Sequence, residues 1–420
     1  MGDGIRPGQG DNVKADRPAH VPASRVIDFD VYHPTGIKDG YHAAWQRLQA
    51  PGVPDLVWTP HNGGHWIATR GSMIRQFLNE PEHFSARVMI VPKAAGMEHK
   101  LVPMNMDPPE HTPYRRVLNK GLGPREIRNC ESAIRGVAIE LIDQFAHLGR
   151  VEFCAAYADI FPIKVFLAFS RLPLSDAPTL TRFAAGMLRP DGTTPEEKAA
   201  SMAAANAGFF DYIAPTIVER TANPGDDWIS TIIHSEVNGA PPTDYEKQAM
   251  IALVLLAGLD TVVNFLPLAM EYLARHPDDV AELRADPKRI PRHVEELLRR
   301  FPVVNQARLI TEDVVRDGVE MKAGEMVLIP STLHGLDERE NACPMDLDFG
   351  RKKISHSTFG GGAHICAGMH LANLEIVVTL QEWLARIPAF RLADGFQMVA
   401  HSGVVADVET LNLEWDGPAA

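Results

Sequence analysis

The chain has 420 residues, of which 45% are hydrophobic and 23% are charged, and these proportions are those of an ordinary globular protein with a large core. They exclude disordered, collagen-like and disulfide-stapled classes. The formal net charge of -13 offers no basic surface for nucleic acid or for an anionic membrane, so we expect a neutral or apolar small molecule as the partner.

The first part of the chain combines a polar segment with a predicted hairpin. Residues 1–25 are rich in Gly, Pro and charge and lack the apolar stretch of a signal peptide. We expect a disordered tail there, followed by a single domain over residues 26–420. Short apolar runs flank Asn62, Gly63 and Gly64, and this pattern predicts a β-hairpin within residues 52–70.

Helical periodicity dominates the middle of the chain. Apolar residues recur every three or four positions in three long segments, which are 125–148, 195–220 and 245–275. A shorter helix is predicted from Pro291, a favoured first-turn residue, to Arg300.

The pattern changes after Arg308. Residues 313–319 and 326–330 flank a Gly-containing turn and predict a second strand-turn-strand unit. Residues 367–386 predict a last long helix, and the final thirty residues alternate like a terminal β-pair. The fold class is therefore mainly α with small β-sheets, in one large domain, because no linker, repeat or strict βαβ alternation divides the chain.

Cysteine usage and hydropathy indicate a cytoplasmic protein. The cysteines stand far apart, without a C-x-x-C pair, at Cys130, Cys154, Cys343 and Cys366. Such spacing favours free thiols in a reducing compartment. The longest apolar stretch, residues 249–259, is about half of the ~20 residues that a membrane span needs. We therefore expect no membrane association.

Residues 359–368 are the most informative segment. Three consecutive glycines precede His364 and Cys366, and the cysteine falls at the start of the predicted helix. The glycines let the backbone approach a flat or bulky group, and a helix N-terminus favours thiolate, so Cys366 is predicted to be a metal ligand or a nucleophile. An isolated cysteine is more often a small buried hydrophobe, but the glycines and His364 speak against that interpretation. A zinc site on His364 and Cys366 would lack two further closely spaced ligands.

The pattern Phe-x-x-Gly-x-His-x-Cys-x-Gly resembles the haem-thiolate loop of the cytochrome P450 monooxygenases. The resemblance extends from about residue 30 to 415 and is closest to the bacterial camphor-hydroxylase subgroup. It implies the cytochrome P450 fold, a single two-lobed domain that holds haem b (iron protoporphyrin IX) with Cys366 as the axial thiolate ligand. It also implies that His364 bonds a haem propionate and that Phe359 packs beside the sulfur. A thiolate ligand favours cleavage of the O–O bond.

A second segment, residues 253–265, places Asp260 and Thr261 inside an otherwise apolar helix. Burial of a carboxylate is costly, and Gly258 in mid-helix costs about 0.8–1.0 kcal/mol relative to Ala, so something must compensate. Thr261 could bond the carbonyl of Ala257, with Asp260 reaching a surface arginine. The resemblance instead implies an oxygen-binding groove, in which Gly258 leaves room for dioxygen, Thr261 hydrogen-bonds the bound oxygen species and Asp260 gates proton delivery.

A third segment, residues 295–300, contains Glu296 and Arg299. These two side chains share one helix face, and the simplest interpretation is an exposed ion pair that contributes roughly 0.2–0.5 kcal/mol. The resemblance implies instead a buried Glu-Arg pair that braces the haem-binding core together with a third basic residue. Arg351, in the irregular stretch after Phe349, is the candidate for that third member.

The resemblance also implies cations for the haem propionates. Arg115 and Arg308 are the candidate donors, and His111, one turn before Arg115, is a further one. The planar guanidinium suits carboxylate recognition, although most arginines are solvated at the surface. Gln306 replaces an aspartate of the camphor enzyme near the propionates, so the hydrogen bonds there are expected to differ.

The implied substrate site is aliphatic, apart from one histidine. Its members are Ile90, His99, Leu101, Met104, Leu253, Leu256, Val304, Val404 and Val405. His99 aligns with the tyrosine that holds the ketone in the camphor enzyme, whereas Ile90 and Leu101 align with phenylalanines. We therefore expect a monoterpenoid or norisoprenoid ketone, ionone-like rather than camphor, with His99 donating to its oxygen or, alternatively, facing solvent.

The implied reaction inserts one oxygen atom of O2 into a C–H bond of that substrate. Because no flavin or nicotinamide signature is evident, the electrons would come from a 2Fe–2S ferredoxin and its reductase, and the ferredoxin would dock on the face nearest Cys366, where Arg115 could take part. We expect a monomer. A haem-thiolate sensor or carrier and a peroxide-driven peroxygenase are the alternatives, and the Asp260–Thr261 pair argues against both.

Overall fold

The computed structural model describes residues 13–98, 101–188, 191–192 and 194–417. The expectation of a disordered tail is wrong for residues 13–25, which pack along the predicted hairpin. Val21 in this segment is fully buried, the Ala15 N–H donates to the Pro60 carbonyl (2.8 Å) and the Gly63 N–H donates to the Val13 carbonyl (2.9 Å). A Pro- and Gly-rich composition does not exclude order where one apolar residue and the backbone find partners.

Helices make up most of the regular structure. In the first half of the chain they are α1 (Tyr41–Gln46), α2 (Gly71–Asn79), α3 (Lys93–Glu98), α4 (His111–Gly121), α5 (Pro124–Asp143), α6 (Phe161–Phe169), α7 (Ala177–Leu188) and α8 (Pro195–Ala222). In the second half they are α9 (Trp228–Ile233), α10 (Asp244–Leu259), α11 (Val262–Arg275), α12 (Pro277–Ala285), α13 (Ile290–Arg300), α14 (Ser331–Gly335) and α15 (Met369–Arg386). The predicted helices are confirmed as α5, α8, α13 and α15, whereas the one over 245–275 is divided into α10 and α11.

The start of α10 follows from local sequence. Thr243 accepts a hydrogen bond from the Glu246 N–H (3.3 Å), and the Glu246 carboxylate accepts from the Thr243 N–H (2.7 Å). This reciprocal capping box satisfies N–H groups that have no partner inside the helix. By length and hydropathy the stretch Asp244–Arg275 could cross a membrane, but 61% of its most apolar window is buried inside the fold. It is a core helix pair.

The largest sheet confirms the first hairpin and joins it to distant strands. Strands β1 (Leu56–Thr59) and β2 (His65–Ala68) pair antiparallel, and the strand order is β1-β2-β8-β5-β3. The other members are β3 (Phe84–Ser85), β5 (Asn305–Ile310) and β8 (Met326–Pro330). Strands β2 and β8 run parallel, whereas β5 pairs antiparallel with both β8 and β3.

The second predicted strand-turn-strand unit is wrong in its pairing. Strand β6 (Val314–Arg316) pairs with β7 (Val319–Met321) across a tight turn at Asp317 and Gly318, both of which have positive φ (49° and 73°). Two left-handed residues in succession form the hairpin turn that matches strand twist. Residues 313–319 therefore turn back on themselves, and the 326–330 segment is free to enter the large sheet.

The terminal β-pair is also more elaborate than predicted. Strand β12 (Asn412–Trp415) lies between β4 (Arg150–Glu152) and β9 (Phe390–Leu392), so the chain end closes a three-stranded sheet with an early segment. Strands β10 (Ala400–His401) and β11 (Asp407–Val408) form a separate hairpin. Its loop, residues 402–406, lies beside the start of β5.

Buried apolar residues form two clusters that position the candidate site. One cluster includes residues of α5, α11, α13, α15 and the sheets, and the other is built largely from α6 to α10. Leu371 and Leu374, in the first turns of α15, pack against both clusters. The boundary between the clusters therefore lies directly after Cys366, the sequence-predicted ligand.

Candidate functional site

The loop that carries Cys366 is organised by its own backbone. The Gly360 N–H donates to the Ser357 carbonyl, and the Cys366 N–H donates to the Phe359 carbonyl, each over 2.8 Å. Helix α15 begins only at Met369, with Gly368 as its N-cap. Cys366 thus lies two residues ahead of the N-cap, and the prediction that it occupies the first helical turn is corrected. We call residues 357–368 the cysteine loop.

The glycines of this loop meet the protein itself. A Cβ atom at Gly362 would stand 2.2 Å from the carbonyl oxygen of Leu78, at the end of α2, and Gly362 has φ +61°. A Cβ atom at Gly361 would lie 3.4 Å from Leu78 as well. The close approach predicted from the glycine run is therefore, for these two residues, an approach to α2. Only glycine combines a left-handed backbone with that contact.

Cys366 faces an internal space. By surface area the residue is exposed, yet burial among protein atoms raises the pKa of its thiol, and the two observations agree if the sulfur faces a cavity inside the fold. A hydrogen bond from the Gly368 N–H and the positive charge of Arg115 lower that pKa, but less than burial raises it. Gly368 in the loop and Arg115 on α4 thus supply a hydrogen-bond donor and a positive charge to a sulfur anion, while a bound metal ion would have to supply the remaining stabilisation of the thiolate.

A cluster of nitrogen donors lies next to the cysteine loop. The His364 ring stands 4.3 Å from the His111 ring, centroid to centroid. Burial, together with the positive charges of Arg308, His111 and Arg115, lowers the pKa of His364 to about 3. Among the described residues, the buried Nε2 atom of His364 has no hydrogen-bond partner. The fold therefore brings together four residues that the sequence analysis selected, which are His111, Arg115, Arg308 and His364.

The two arginines of this cluster are held in different ways. Arg308 is 2% exposed, burial lowers its pKa to about 10, and its Nη1 donates to the Ala307 carbonyl (2.8 Å). Burial also lowers the pKa of Arg115, whose Nε donates to Asn119 Oδ1 (2.7 Å). A buried guanidinium with few protein acceptors is costly unless an anion meets it.

The nearby carboxylate of Asp107 is already engaged. Its oxygens accept hydrogen bonds from Ser85 Oγ (2.6 Å) and the Ala86 N–H (2.8 Å), and Arg87 Nε lies 3.3 Å away. Asp107 is therefore not the acceptor that these donors lack. The donor cluster, which consists of His111, Arg115, Arg308 and His364, suits two carboxylates of a bound molecule. Together with a cavity-facing thiol, these residues fit the haem that the sequence implies.

The long apolar helix is interrupted at Asp260 and Thr261. Helix α10 ends at Leu259 and α11 begins at Val262, so the two residues join the helices. Thr261 Oγ1 donates to the Ala257 carbonyl (3.2 Å), as the local interpretation predicts, and Asn264 Nδ2 donates to the Asp260 carbonyl (2.8 Å). Apart from its two chain neighbours and the backbone of its own helix, no heavy atom of the described chain lies within 4 Å of a Cβ placed on Gly258. At the break there is thus open space beside Gly258, and the carbonyls of Ala257 and Asp260 accept hydrogen bonds from side chains.

Glu296, Arg299 and Arg351 form a buried ion cluster. Arg299 is 0% and Glu296 1% exposed at the side chain, so the simple exposed pair is not what the fold contains. Arg299 bonds both carboxylate oxygens (2.7 and 2.8 Å), and Arg351 Nε lies 3.1 Å from each. The other Arg299 N–H groups donate to the carbonyls of Gly335, Pro344 and Asp346. This cluster ties α13 to the irregular segment that leads into the cysteine loop.

The described members of the predicted substrate site lie in two groups, apart from Ile90. Val304 and Val405 form a β-bridge, and the Asn305 N–H donates to the Val404 carbonyl (2.7 Å). Leu101 and Met104 pack against the cluster that contains Leu253 and Leu256. Ile90 is partly buried beside Gly96, and His99 lies outside the described residues.

Sequence reasoning missed the residue that fixes the first of these groups. Asn305 is fully buried, and its Nδ2 donates to the Gly403 carbonyl (3.0 Å) and to Tyr41 Oη (2.7 Å). Its Oδ1 accepts from Thr332 Oγ1 (3.1 Å). An asparagine directly after the apolar Val303–Val304 pair was the only available signal, and a polar residue at a strand start is too common to be diagnostic.

Known proteins share both the sequence pattern and the fold. The family model for cytochrome P450 matches residues 193–387. A probable cytochrome P450 127A1 of Sinorhizobium fredii is 32% identical over 95% of this chain and 96% of its own length. The crystal structures of CYP101J2 and CYP101C1 are 38% and 36% identical, each with a TM-score of 0.88 over 96% of this chain and all of theirs.

Proposed function

The chain belongs to the cytochrome P450 family, and we propose on that basis that it hydroxylates a compact terpenoid ketone, ionone-like rather than camphor. Membership makes the chain a monooxygenase that binds haem through a cysteine thiolate, and Cys366 is that cysteine. The bound haem supplies the activation of dioxygen and the oxidation of the C–H bond. The remaining steps are assigned to side chains of this chain.

The donor cluster is proposed to hold the haem propionates. His364, with its buried unpartnered Nε2, would donate to one carboxylate, and Arg308 would neutralise it from within the core. Arg115 and His111 would hold the second carboxylate, with Phe359 beside the sulfur. Each carboxylate would then meet one arginine and one neutral imidazole, so the two negative charges balance the two guanidinium charges.

The helix break is proposed to manage protons. The Thr261 hydroxyl now donates to Ala257, and a rotation about its side-chain bond would offer the same proton to the open space over Gly258. Asp260 would exchange protons with the exterior. A sensor or carrier that only binds its ligand has no use for such a pair, which is why we favour turnover.

One observation carries the substrate class: the described members of the proposed lining are all aliphatic. Val304 and Val405 face each other across a bridge, and Leu253 and Leu256 belong to the buried face of α10. Such a surface selects by shape and apolar burial rather than by several polar anchors. The sequence adds His99 as the one donor, which we propose bonds the ketone oxygen.

The electron donor is proposed to be an acidic 2Fe–2S ferredoxin, served by its own reductase. The protein as a whole is acidic, but Lys352 and Lys353 are exposed just ahead of the cysteine loop, and the half-exposed Arg75 lies beside Ser355. Ile365, 41% exposed, adds an apolar contact next to Cys366. Complementary local charge steers the encounter of two proteins, so these cations suit an acidic partner. We further propose a cytoplasmic monomer.

Substrate binding is tested by titrating the ferric protein with β-ionone and, separately, with camphor. Displacement of water from ferric haem is read as a spin-state change in the absorption spectrum. We expect saturable conversion with β-ionone and a weaker response with camphor. A protein that responds to camphor alone, or to no terpenoid, contradicts the proposed substrate class but leaves the haem assignment intact.

Electron supply is tested by product formation from β-ionone. Reactions with NADH, ferredoxin and ferredoxin reductase are compared with reactions supplied only with hydrogen peroxide. We expect hydroxylated product chiefly with the electron-transfer proteins. Efficient product formation with peroxide alone would identify a peroxygenase, and His99→Ala with unchanged product ratios would remove His99 from the substrate site.

A further inference from the structure

A buried histidine outside the haem donor cluster lies beside the start of the cysteine loop. His334 belongs to α14 and is 1% exposed. Its ring lies between α2 on one side and Ser355 and Ser357 on the other. None of the roles assigned above uses this side chain.

The hydrogen bonds of His334 fix which nitrogen carries its proton. Arg75 Nη1 lies 2.7 Å from Nε2, and a guanidinium can only donate, so Nε2 accepts. The proton of a neutral ring is then on Nδ1, which donates to Ser357 Oγ (2.6 Å). Burial lowers the pKa of His334 to about 4, in agreement with a neutral ring at neutral pH.

Neighbouring polar groups hold this arrangement in place. The Glu340 carboxylate accepts from Arg75 and from Ser355 Oγ (2.6 Å), and lies 3.4 Å from Nε2 of His334. Arg75 and Glu340 therefore balance each other's charge, which leaves the imidazole uncharged between them. His356 is the other titratable group that acts on the ring.

The ring is also fixed sterically. A Cβ atom at Gly71, the first residue of α2, would lie 2.4 Å from Cδ2 of His334. The Gly71 N–H donates to Asp337 Oδ2 (2.9 Å), so the backbone at that point cannot easily recede. The imidazole thus packs directly on the N-terminus of α2.

From Ser357 the backbone bonds lead to the iron ligand. The Ser357 carbonyl accepts from the Gly360 N–H, where the chain turns with φ +72°, and the Phe359 carbonyl accepts from the Cys366 N–H. Leu78, at the other end of α2, covers Gly362 of the same loop. The cysteine loop is therefore attached to α2 at two points, one through His334 and one through direct contact.

We propose that His334 is a positioning residue for the haem-thiolate ligand. Its Nδ1–H holds Ser357, Ser357 holds the turn at Gly360, and that turn sets the backbone from which Cys366 presents its sulfur. The residue acts through Ser357 and does not itself touch the cofactor. This role does not depend on the proposed substrate or on the proposed electron donor.

The test compares holoenzyme variants that remove either the donor or the acceptor of the hydrogen bond between His334 and Ser357. His334→Phe keeps a ring and removes both nitrogen contacts, whereas Ser357→Ala removes only the accepting hydroxyl. His42→Phe is the control, because His42 is also buried but bonds the Pro302 carbonyl (3.1 Å), outside the cysteine loop. The readouts are the rate of haem transfer to apomyoglobin and the fraction of the ferrous carbon monoxide complex that keeps its thiolate-type absorption.

We expect His334→Phe and Ser357→Ala each to raise the rate of haem loss roughly fivefold to tenfold, the effect of one buried hydrogen bond. The thiolate-type fraction should fall in both, and the double variant should be no worse than His334→Phe alone. His42→Phe should lower Tm without either change. If His334→Phe does not fold, Ser357→Ala decides alone, because it barely changes volume. Haem loss and carbon monoxide spectra like those of the wild type in Ser357→Ala would overturn the proposal.

Discussion

Gly362 passes directly beneath the carbonyl of Leu78, so close that a Cβ atom on the glycine would stand 2.2 Å from that oxygen. The contact joins the loop of the iron ligand to the C-terminal end of α2. It also explains the third glycine of the run by packing within the protein.

Gly362→Ala is therefore expected to destabilise the protein by about 3 kcal/mol or more, since it adds a steric overlap to a left-handed backbone. Gly318→Ala is the matched control, because Gly318 has φ +73° and, apart from its chain neighbours, no atom of the described residues lies within 4 Å of its Cβ position. That variant should lose only about 1–2 kcal/mol. Thermal unfolding followed by circular dichroism makes the comparison, and equal losses would show that the Leu78 contact is unimportant.

Glu296→Ala should lower the free energy of unfolding by about 3–5 kcal/mol. It would leave Arg299 and Arg351 as buried charges without their carboxylate, and breaking such a pair costs more than making it gains. The exposed neighbour Glu295, which lies 3.5 Å from His356, is the control, and Glu295→Ala should change stability by less than about 1 kcal/mol. Urea unfolding of both variants measures the difference, and a small effect at Glu296 would mean that the cluster is not needed to brace the core.

Thr261→Val keeps the volume of the side chain and removes its hydroxyl. We expect reductant consumption to continue while hydroxylated product falls by about an order of magnitude or more, with hydrogen peroxide released instead. Thr261→Ser should keep most of the product yield. The ratio of product to NADH consumed, measured with β-ionone, is the readout. A wild-type ratio in Thr261→Val would assign Thr261 to the helix break alone.

Asn305→Ala should change the ratio of hydroxylated products, because the side chain fixes Gly403 beside Val404 and Val405. It should also lower the free energy of unfolding by about 1–3 kcal/mol, since the Gly403 carbonyl and Tyr41 hydroxyl lose a buried partner. Tyr41→Phe removes the neighbouring hydroxyl but not the bond to Gly403, so it should destabilise without changing the products. Identical product ratios in the wild type, Asn305→Ala and Tyr41→Phe would show that Asn305 does not influence selectivity.

Much of the fold could be predicted from local patterns. Helices α5, α8, α13 and α15 follow from apolar periodicity, and the β1–β2 hairpin follows from the turn at residues 62–64. The break between α10 and α11 could not be seen, because Asp260 and Thr261 are compatible with an uninterrupted helix. Residues 13–25 were misjudged since composition carries no information on the surface against which a segment packs.

The candidate site, like the fold, could be predicted from the sequence only in part. The motif identifies Cys366 and His364, but only the folded chain brings Arg351 to within 3.1 Å of Glu296 or shows that Leu78 fills the space above Gly362. Asn305 and His334 carry no diagnostic sequence signal, because a lone asparagine or histidine is informative only through its partners. Long-range contacts, rather than residue types, distinguish these positions.

The most direct test of the account is the absorption spectrum of the ferrous carbon monoxide complex in Cys366→Ser. Cys343→Ser serves as the control, because Cys343 is exposed and lies outside the cysteine loop. We predict that Cys343→Ser keeps the thiolate-type spectrum and hydroxylation of β-ionone, whereas Cys366→Ser loses both. A Cys366→Ser protein that retains the wild-type spectrum and turnover would contradict the assignment of this sulfur as the axial haem ligand.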